Sequence, residues 1–325
     1  MEAKGQPMFQ LVNNEIIKIF KRKSAWFMIG SLLFIVIASA FLTKYYEKDN
    51  SPTVHAGWKE QLIKENAHLE KQLIETPELT SYYEQYLKRT IAINEYKIEH
   101  DLAPEMNMTM WTFSNDSQSF LTVVGLFTIV VAAGMVANEF QWGTIKLLLI
   151  RPITRAKILF SKYVTVLVFG GILIVLLFFT AFIFGATLFG SEDGANVHLT
   201  YVNGTVKEQS LLIHLLKMYA LNSIGLFMMA TMAFMISAVF RSSSLAIGIS
   251  IFLFVMGDVI TNFIAMKYEW AKYSLFANTN LLDYFEGTPP VDSMTLSFSI
   301  GMLFIYFCIF HLLAFVFFIK KDVIA

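Results

Sequence analysis

The sequence has little charge and few of the residues on which catalysis or metal binding depends. Only 15% of its 325 residues are charged, against roughly 25% in an average soluble domain. Cys308 is the single cysteine, so no disulfide framework or cysteine zinc site can form within the chain. The six histidines are scattered, and no nucleotide-binding, zinc-protease or serine-hydrolase motif occurs. We therefore expect no catalytic residue, bound metal or cofactor in this chain, and the net charge of zero gives no support for a nucleic-acid partner.

Apolar residues are abundant instead. They make up 56% of the chain, which includes 31 phenylalanines and 16 methionines. A helix needs about 20 apolar residues to cross a bilayer, and its backbone satisfies its own hydrogen bonds there. The sequence predicts an all-α polytopic membrane protein with six transmembrane helices, at 24–43, 117–137, 160–189, 215–240, 245–266 and 294–319.

The basic residues predict the orientation of these spans. Segments 1–23 and 138–162 carry five Lys and Arg each, and Lys21, Arg22 and Lys23 directly precede the first span. Positive residues concentrate on the cytoplasmic side of a membrane. We therefore expect both termini, including the tail 320–325, and the connection 138–159 in the cytoplasm. The N-terminal segment 1–23 has apolar residues at spacings of three and four, which predicts an amphipathic interfacial helix leading into the first span.

The connection 44–116 then becomes a large extracellular insertion. Trp58, Leu62, Leu69 and Leu73 recur at helical spacing among Lys and Glu, which predicts a helical hairpin. Two interpretations stay open for it. It is either a solvated spacer or a cap that faces a substrate or a partner.

Three polar residues inside the spans are candidates for a translocation path: Asp258, Asn262 and His311. An ionisable group within a span is costly unless it faces protein or water. The alternatives are structural. Asp258 has Thr261 and Asn262 one turn away as hydrogen-bond partners, and His311 is suited to a hydrogen bond between helices.

The connection 138–159 contains a short amphipathic piece from Trp142 to Ile150. Pro152 cannot continue a regular helix, and Thr154 is placed to cap the long third span. Four basic residues are expected to supply surface charge there: Arg151, Arg155, Lys157 and Lys162. A basic, partly apolar segment suits docking to a soluble protein, and the alternative is an interfacial loop held by anionic lipid.

The same connection carries a motif that resembles the permease subunit of ABC transporters of the ABC-2 type. The resemblance rests on Glu139, on Gly143-Thr144-Ile145-Lys146-x-Leu148, on Arg151-Pro152-Ile153-Thr154-Arg155 and on Lys162. The six spans, the cytoplasmic ends and the N-terminal amphipathic helix agree with that architecture. The specific motif covers about 25 residues of the chain.

The resemblance implies that two permease subunits pair, as copies or as paralogues, and that each docks on a separate cytoplasmic ATPase, which binds ATP and Mg²⁺. The implied docking residues are Glu139, Gly143, Thr144, Lys146, Arg151, Pro152 and Arg155. This chain would not be an enzyme itself. The long first outside loop departs from many family members and leaves the cargo open among peptides, antibiotics, lipid-like compounds and ions, with export favoured because the family mostly exports. A membrane sensor or scaffold, or a stand-alone carrier, is the alternative function.

Overall fold

A computed structural model describes residues 7–49, 57–75, 81–103, 108–144, 153–190, 197–202, 204–285 and 287–320 of the chain. It is predominantly helical, and six helical stretches in this part of the chain are long and apolar enough to cross a membrane. They are α2 (Lys23–Asp49), the stretch formed by α5 (Met110–Asp116), the 3₁₀ turn Ser117–Phe120 and α6 (Leu121–Gln141), α7 (Arg155–Leu188), α8 (Leu211–Phe240), α9 (Ser243–Ala265) and α10 (Leu296–Lys320). The predicted all-α polytopic membrane fold with six spans is confirmed.

The helices extend beyond the apolar segments that predicted them. Thr154 caps α7, its side chain accepting a hydrogen bond from the Lys157 backbone N–H at 3.4 Å, as the sequence predicted. Because a capped helix continues through its polar first turn, α7 begins at Arg155 and not at position 160. Helix α8 also begins ahead of its apolar core, at Leu211, without a side-chain cap.

The spans alternate in direction, so the bundle has two distinct ends. The N-terminal helix α1 (Met8–Phe20) and the end of α10 lie at one end, which we name the termini end. The insertion between the first two spans and the connections that follow α7 and α9 lie at the other, which we name the insertion end. The prediction that the termini end faces the cytoplasm stays a prediction.

Small residues hold α6 and α8 together at the centre of the bundle. Ala132, Ala133, Ala230 and Ala233 are fully buried, and side chains of this size let helix backbones approach closely in a membrane. Ser237 of α8 strengthens the contact, because its Oγ accepts hydrogen bonds from two backbone N–H groups of α6, at 3.3 and 3.0 Å. By contrast, α9 and α10 leave most of their apolar surface exposed.

The insertion contains two antiparallel helices, α3 (Trp58–Glu75) and α4 (Ser81–Glu99), as the spacing predicted. A buried hydrogen bond of 2.9 Å joins Asn94 Nδ2 to Asn66 Oδ1 between them. At the open end of the pair, Lys59 forms a 2.6 Å ion pair with Asp101. The helical insertion between the first and second spans is therefore confirmed.

A β-hairpin that the sequence analysis did not predict precedes α8. Strands β1 (Val197–Val202) and β2 (Thr205–Ser210) pair antiparallel, with Val202 opposite Thr205. Gly204 in the turn has φ +82°, a conformation that glycine adopts without strain. The hairpin contacts α4 through a hydrogen bond of 3.2 Å from Tyr96 to Glu208, and α8 through the stacked rings of His198 and His214.

The connection after α9 folds back onto the bundle as three short 3₁₀ turns: Glu269–Tyr273, Phe276–Asn278 and Leu281–Tyr284. Asn278, fully buried, organises it. Its Nδ2 donates to the backbone carbonyls of Lys272 and Ser274, and its Oδ1 accepts from Ser299 of α10 at 2.6 Å. We name residues 269–285 the cap segment.

Candidate functional site

Four charged side chains meet at the termini end of the bundle, and we name them the ion cluster: Glu15, Lys18, Glu139 and Lys162. Lys162 Nζ of α7 lies 2.8 Å from Glu15 Oε2 of α1 and forms a shorter ion pair with Glu139 at the end of α6. Lys18 completes the cluster, 2.6 Å from Glu15 and 3.7 Å from Glu139. The cluster therefore connects the N-terminal helix with the ends of two spans.

The ion cluster is neutral and mostly buried. The side chain of Lys162 is 1% exposed, those of Glu15 and Glu139 are 10% exposed, and that of Lys18 is 48% exposed. Burial raises the pKa of Glu15, but Lys162 and Lys18 together outweigh it and hold the pKa below its ordinary value. Removing one member of such a buried pair leaves the other charge uncompensated, which is costly. The four charges therefore fix α1 against α6 and α7.

The predicted docking segment begins directly at this cluster. Glu139 is 8% exposed and lies two residues before the end of α6. Gly143 then has φ +67°, and an added Cβ there would meet no atom within 4 Å, so the backbone conformation and not space favours glycine. Thr144 Oγ1 donates to the Glu139 carbonyl at 3.4 Å. Helix α6 therefore ends sharply, and the chain turns away beside the ion cluster.

The described part of the docking segment resumes at Ile153. Arg155, the first residue of α7, donates a 3.0 Å hydrogen bond to the carbonyl of Ile319 at the end of α10. Arg155 therefore joins the third and sixth spans. The predicted docking residues Lys146, Arg151 and Pro152 lie outside the described residues.

Two cation–aromatic contacts flank the end of α6. The Arg22 guanidinium lies 5.3 Å from the ring centre of Trp142, whose side chain is 61% exposed. The guanidinium of Arg241, which lies between α8 and α9, is 4.3 Å from the ring centre of Phe140. Beside them, a cavity of about 320 Å³ opens between α1 and the start of α7, with Ile153 in its wall. This end of the molecule thus presents an exposed aromatic ring, basic groups and a concave surface.

The candidate path residues do not come together. Asp258 lines a cavity at the insertion end, between α6, α8, α9 and the cap segment. Asn262, one turn further along α9, is exposed, and Thr261 pairs with Ser274 of the cap segment at 3.0 Å. His311 lies nearer the termini end, where its ring packs edge-on against Tyr163 of α7 and its Nδ1 donates to Phe307 of its own helix at 2.9 Å. The structure thus gives His311 a hydrogen bond within α10 and an aromatic contact between helices.

Sequence reasoning missed part of the ion cluster. It placed Lys162 among surface charges, and that was wrong, because Lys162 is 1% exposed. It also passed over Glu15, although Glu15 shares the buried face of α1 with Leu11 and Ile19 at spacings of four. A carboxylate on the protein-facing stripe of an amphipathic helix is the signal that would have indicated a buried partner. No group of three or more metal-ligating side chains occurs among the described residues.

Comparison with known proteins places the chain in a family. The family described as "Protein of unknown function (DUF2705)" matches residues 85–324. The chain is 48% identical over 318 residues to "Uncharacterized protein YhcI" of Bacillus subtilis (strain 168), covering 97% of this chain and 99% of the relative. It is 32% identical over 198 residues to "Uncharacterized membrane protein YdbK" of the same organism, covering 60% of this chain and 76% of that relative. With its six apolar helices, the chain is a multi-pass membrane protein that belongs to the DUF2705 family.

Proposed function

We propose that this protein is the membrane-spanning permease subunit of an ATP-binding cassette transporter of the ABC-2 type, in the plasma membrane of a bacterium. Two such subunits would pair, and each would dock on a separate cytoplasmic ATPase through residues 138–159. ATP and Mg²⁺ would be bound by that ATPase, since this sequence has no nucleotide-binding motif. Export is the favoured direction.

The observation that carries the proposal is the position of the ion cluster. Glu139 and Lys162 belong to the motif that resembles ABC-2 permeases, and they form a buried ion pair between the start of the docking segment and the helix that follows it. Glu15 brings the N-terminal helix into the same cluster. A displacement of the docking segment would therefore move three helices together, because a buried charge does not separate from its partners without a large cost.

The exposed groups around the cluster support docking to a soluble protein. Trp142 presents an aromatic surface, and aromatic and arginine side chains are enriched at protein interfaces. The 320 Å³ cavity beside α1 offers a recess for a side chain of the partner. An interfacial loop held by anionic lipid has the same charge but does not need this recess.

The test is affinity purification of the tagged protein in mild detergent, followed by mass spectrometry and an ATPase assay. We expect a stoichiometric partner with nucleotide-binding motifs and vanadate-sensitive hydrolysis. Gly143→Pro should abolish the association, since proline cannot adopt φ +67°. Gly143→Asn is the matched control, because asparagine tolerates the left-handed conformation. A preparation without any ATPase, repeated in nanodiscs, would remove the basis of the proposal.

One observation favours the sensor as a second candidate. A cavity of about 370 Å³ opens at the insertion end among Tyr86 and Arg89 of α4, Tyr201 of β1, and Tyr284 and Phe285 of the cap segment. Arg89 donates to the carbonyl of Phe285, so the insertion is attached to the cap segment. Ligand binding there without an associated ATPase would favour the sensor over the permease.

A further inference from the structure

The cavity that contains Asp258 has a volume of about 380 Å³ and lies in the insertion-end half of the bundle. Helices α6, α8 and α9 form its walls, and the cap segment closes one side. Its size is within the range of small-molecule sites in proteins. Three features of its lining indicate which kind of molecule it accepts.

The first feature is that glycines let the cap segment reach the bundle. An added Cβ on Gly225 of α8 would lie 2.6 Å from the carbonyl oxygen of Thr279, and one on Gly257 of α9 would overlap the ring of Phe276. On the opposite wall, a Cβ on Gly125 of α6 would lie 2.8 Å from the ring of Phe254. Close packing therefore holds Phe254 and Phe276 at the cavity.

The second feature is a set of amides that are already oriented. Asn222 Nδ2 donates to Gln118 Oε1 at 2.9 Å, and Asn280 Nδ2 donates to Asp283 Oδ1 at 2.7 Å. Each of these amides uses one N–H in this way, and the carbonyl oxygens of Asn222 and Asn280 are hydrogen-bond acceptors. Acceptor oxygens on both sides suit a ligand that donates hydrogen bonds.

The third feature is charge. Asp258 is the one ionisable side chain among the described residues that line the cavity, and no hydrogen bond or ion pair to it occurs within the described part of the chain. Asp283, beside Asn280, is close enough that the Asp258 carboxylate adds to burial in raising its pKa, to about 6. A carboxylate within a span needs a compensating partner. The rings of Phe254 and Phe276 suit the same partner, because aromatic faces attract cations.

We propose that this cavity binds the ammonium group of a small cationic ligand, with Asp258 as its counter-ion, the oxygens of Asn222 and Asn280 as hydrogen-bond acceptors, and Phe254 and Phe276 beside its apolar part. The inference deepens the proposed function, on which it rests for the role of the ligand as transported cargo. Binding itself does not require the ATPase.

The experiment measures binding of phenethylammonium to the purified full-length protein in nanodiscs, by saturation-transfer NMR. Phenethyl alcohol and 3-phenylpropionate serve as the neutral and anionic analogues of similar shape. We expect the ammonium compound to bind roughly ten- to a hundredfold more tightly than the alcohol, as a charge-assisted hydrogen bond predicts. The carboxylate compound should not bind.

Two variants tie the signal to the cavity. Asp258→Asn should remove the preference for the ammonium compound, whereas Asp292→Asn, a change of an exposed carboxylate outside the cavity lining, should preserve it. If Asp258→Asn does not yield folded protein, Asn280→Leu takes its place, with a severalfold loss expected. Equal binding of the ammonium compound and the alcohol, or unchanged binding in the folded cavity variants, would overturn the inference.

The two proposals fail separately. If the protein binds the ammonium compound selectively but never co-purifies with an ATPase, the proposed ammonium site is supported and the proposed permease function is refuted. If the protein forms a complex with an ATPase but shows no preference for the ammonium compound, the proposed permease function is supported and the proposed ammonium site is refuted.

Discussion

Replacement of Lys162 by methionine tests the central feature of the termini end. Methionine keeps the length and flexibility of the side chain but removes the positive charge. Glu15 and Glu139, whose side chains are each 10% exposed, would then have Lys18 as their single remaining cation in the ion cluster. Two carboxylates would share one half-exposed ammonium at a largely buried site.

The expected loss follows from this charge balance. Breaking a buried ion pair by removing one partner costs about 3–5 kcal/mol, and Lys162 has two such partners. Lys18→Met is the matched control with the same chemical change. Because Lys18 is 48% exposed, its loss should cost at most about 1 kcal/mol. The triple variant Glu15→Gln, Glu139→Gln, Lys162→Met leaves only the half-exposed Lys18 ammonium without a carboxylate partner, and it should regain at least half of what Lys162→Met loses.

The measurement is the free energy of unfolding from sodium dodecyl sulfate titration in mixed micelles, followed by tryptophan fluorescence. An ATPase pull-down on the same proteins measures association separately from stability. We expect the triple variant to be stable, but we expect its helices to be poorly coupled to ATP hydrolysis by the partner. The reasoning would be refuted if the free energy of unfolding of Lys162→Met lay within 1 kcal/mol of that of the parent protein. It would also be refuted if the triple variant were as unstable as Lys162→Met.

Three further predictions concern the other end of the molecule and its orientation. Burial, and then the neighbouring basic side chains, lower the pKa of His198 to about 4. The neutral imidazole therefore contributes fully to the free energy of unfolding above pH 6.5, and up to about 3 kcal/mol of it should be lost as pH falls from 6.5 to 4. Thermal melting measures this loss, and a flat melting temperature over that range would contradict it. Gly257→Ala should lower the melting temperature because the new methyl group overlaps a phenylalanine ring, at a cost of about 1–3 kcal/mol, while Gly248→Ala in the same helix meets no atom within 4 Å and should not destabilise. A cysteine at Glu95 should react with an impermeant thiol reagent in intact cells and one at Lys157 should not, and reversed labelling would overturn the predicted orientation.

The spans were predictable because a bilayer imposes one length and one composition on every helix that crosses it. The sharp end of α6 was equally open to sequence reasoning, since a glycine shortly after an apolar span favours a left-handed residue there, and Gly143 has φ +67°. The β-hairpin was not predicted, although Val197, Leu199 and Tyr201 alternate with polar residues before an Asn-Gly turn. That pattern is the ordinary signal of a hairpin.

Other features could not be obtained from local pattern at all. The 3₁₀ turns of the cap segment depend on Asn278, whose partners include a serine 21 residues away in α10. The pairing of Glu15 with Lys162 joins residues 147 positions apart. The spacing of Glu15 indicates a buried face but not its partner, and Lys162 by itself has the sequence context of a surface charge beside a membrane. Only the packing of α1 against α7 decides that the pair is buried.

The charge balance at the two ends of the bundle also distinguishes their roles. In the ion cluster, each of the two lysines lies within 3.7 Å of both glutamates, so the four charges sum to zero, and of the carboxylate oxygens there Glu139 Oε2 is buried without a hydrogen-bond partner among the described residues. Such an arrangement suits mechanical connection between helices. The Asp258 cavity is lined by one carboxylate, amide side chains and aromatic rings, with Asp283 nearby, and no described cationic side chain lines it. Because a carboxylate within a span requires compensation, the second arrangement suits a positive group from outside the chain.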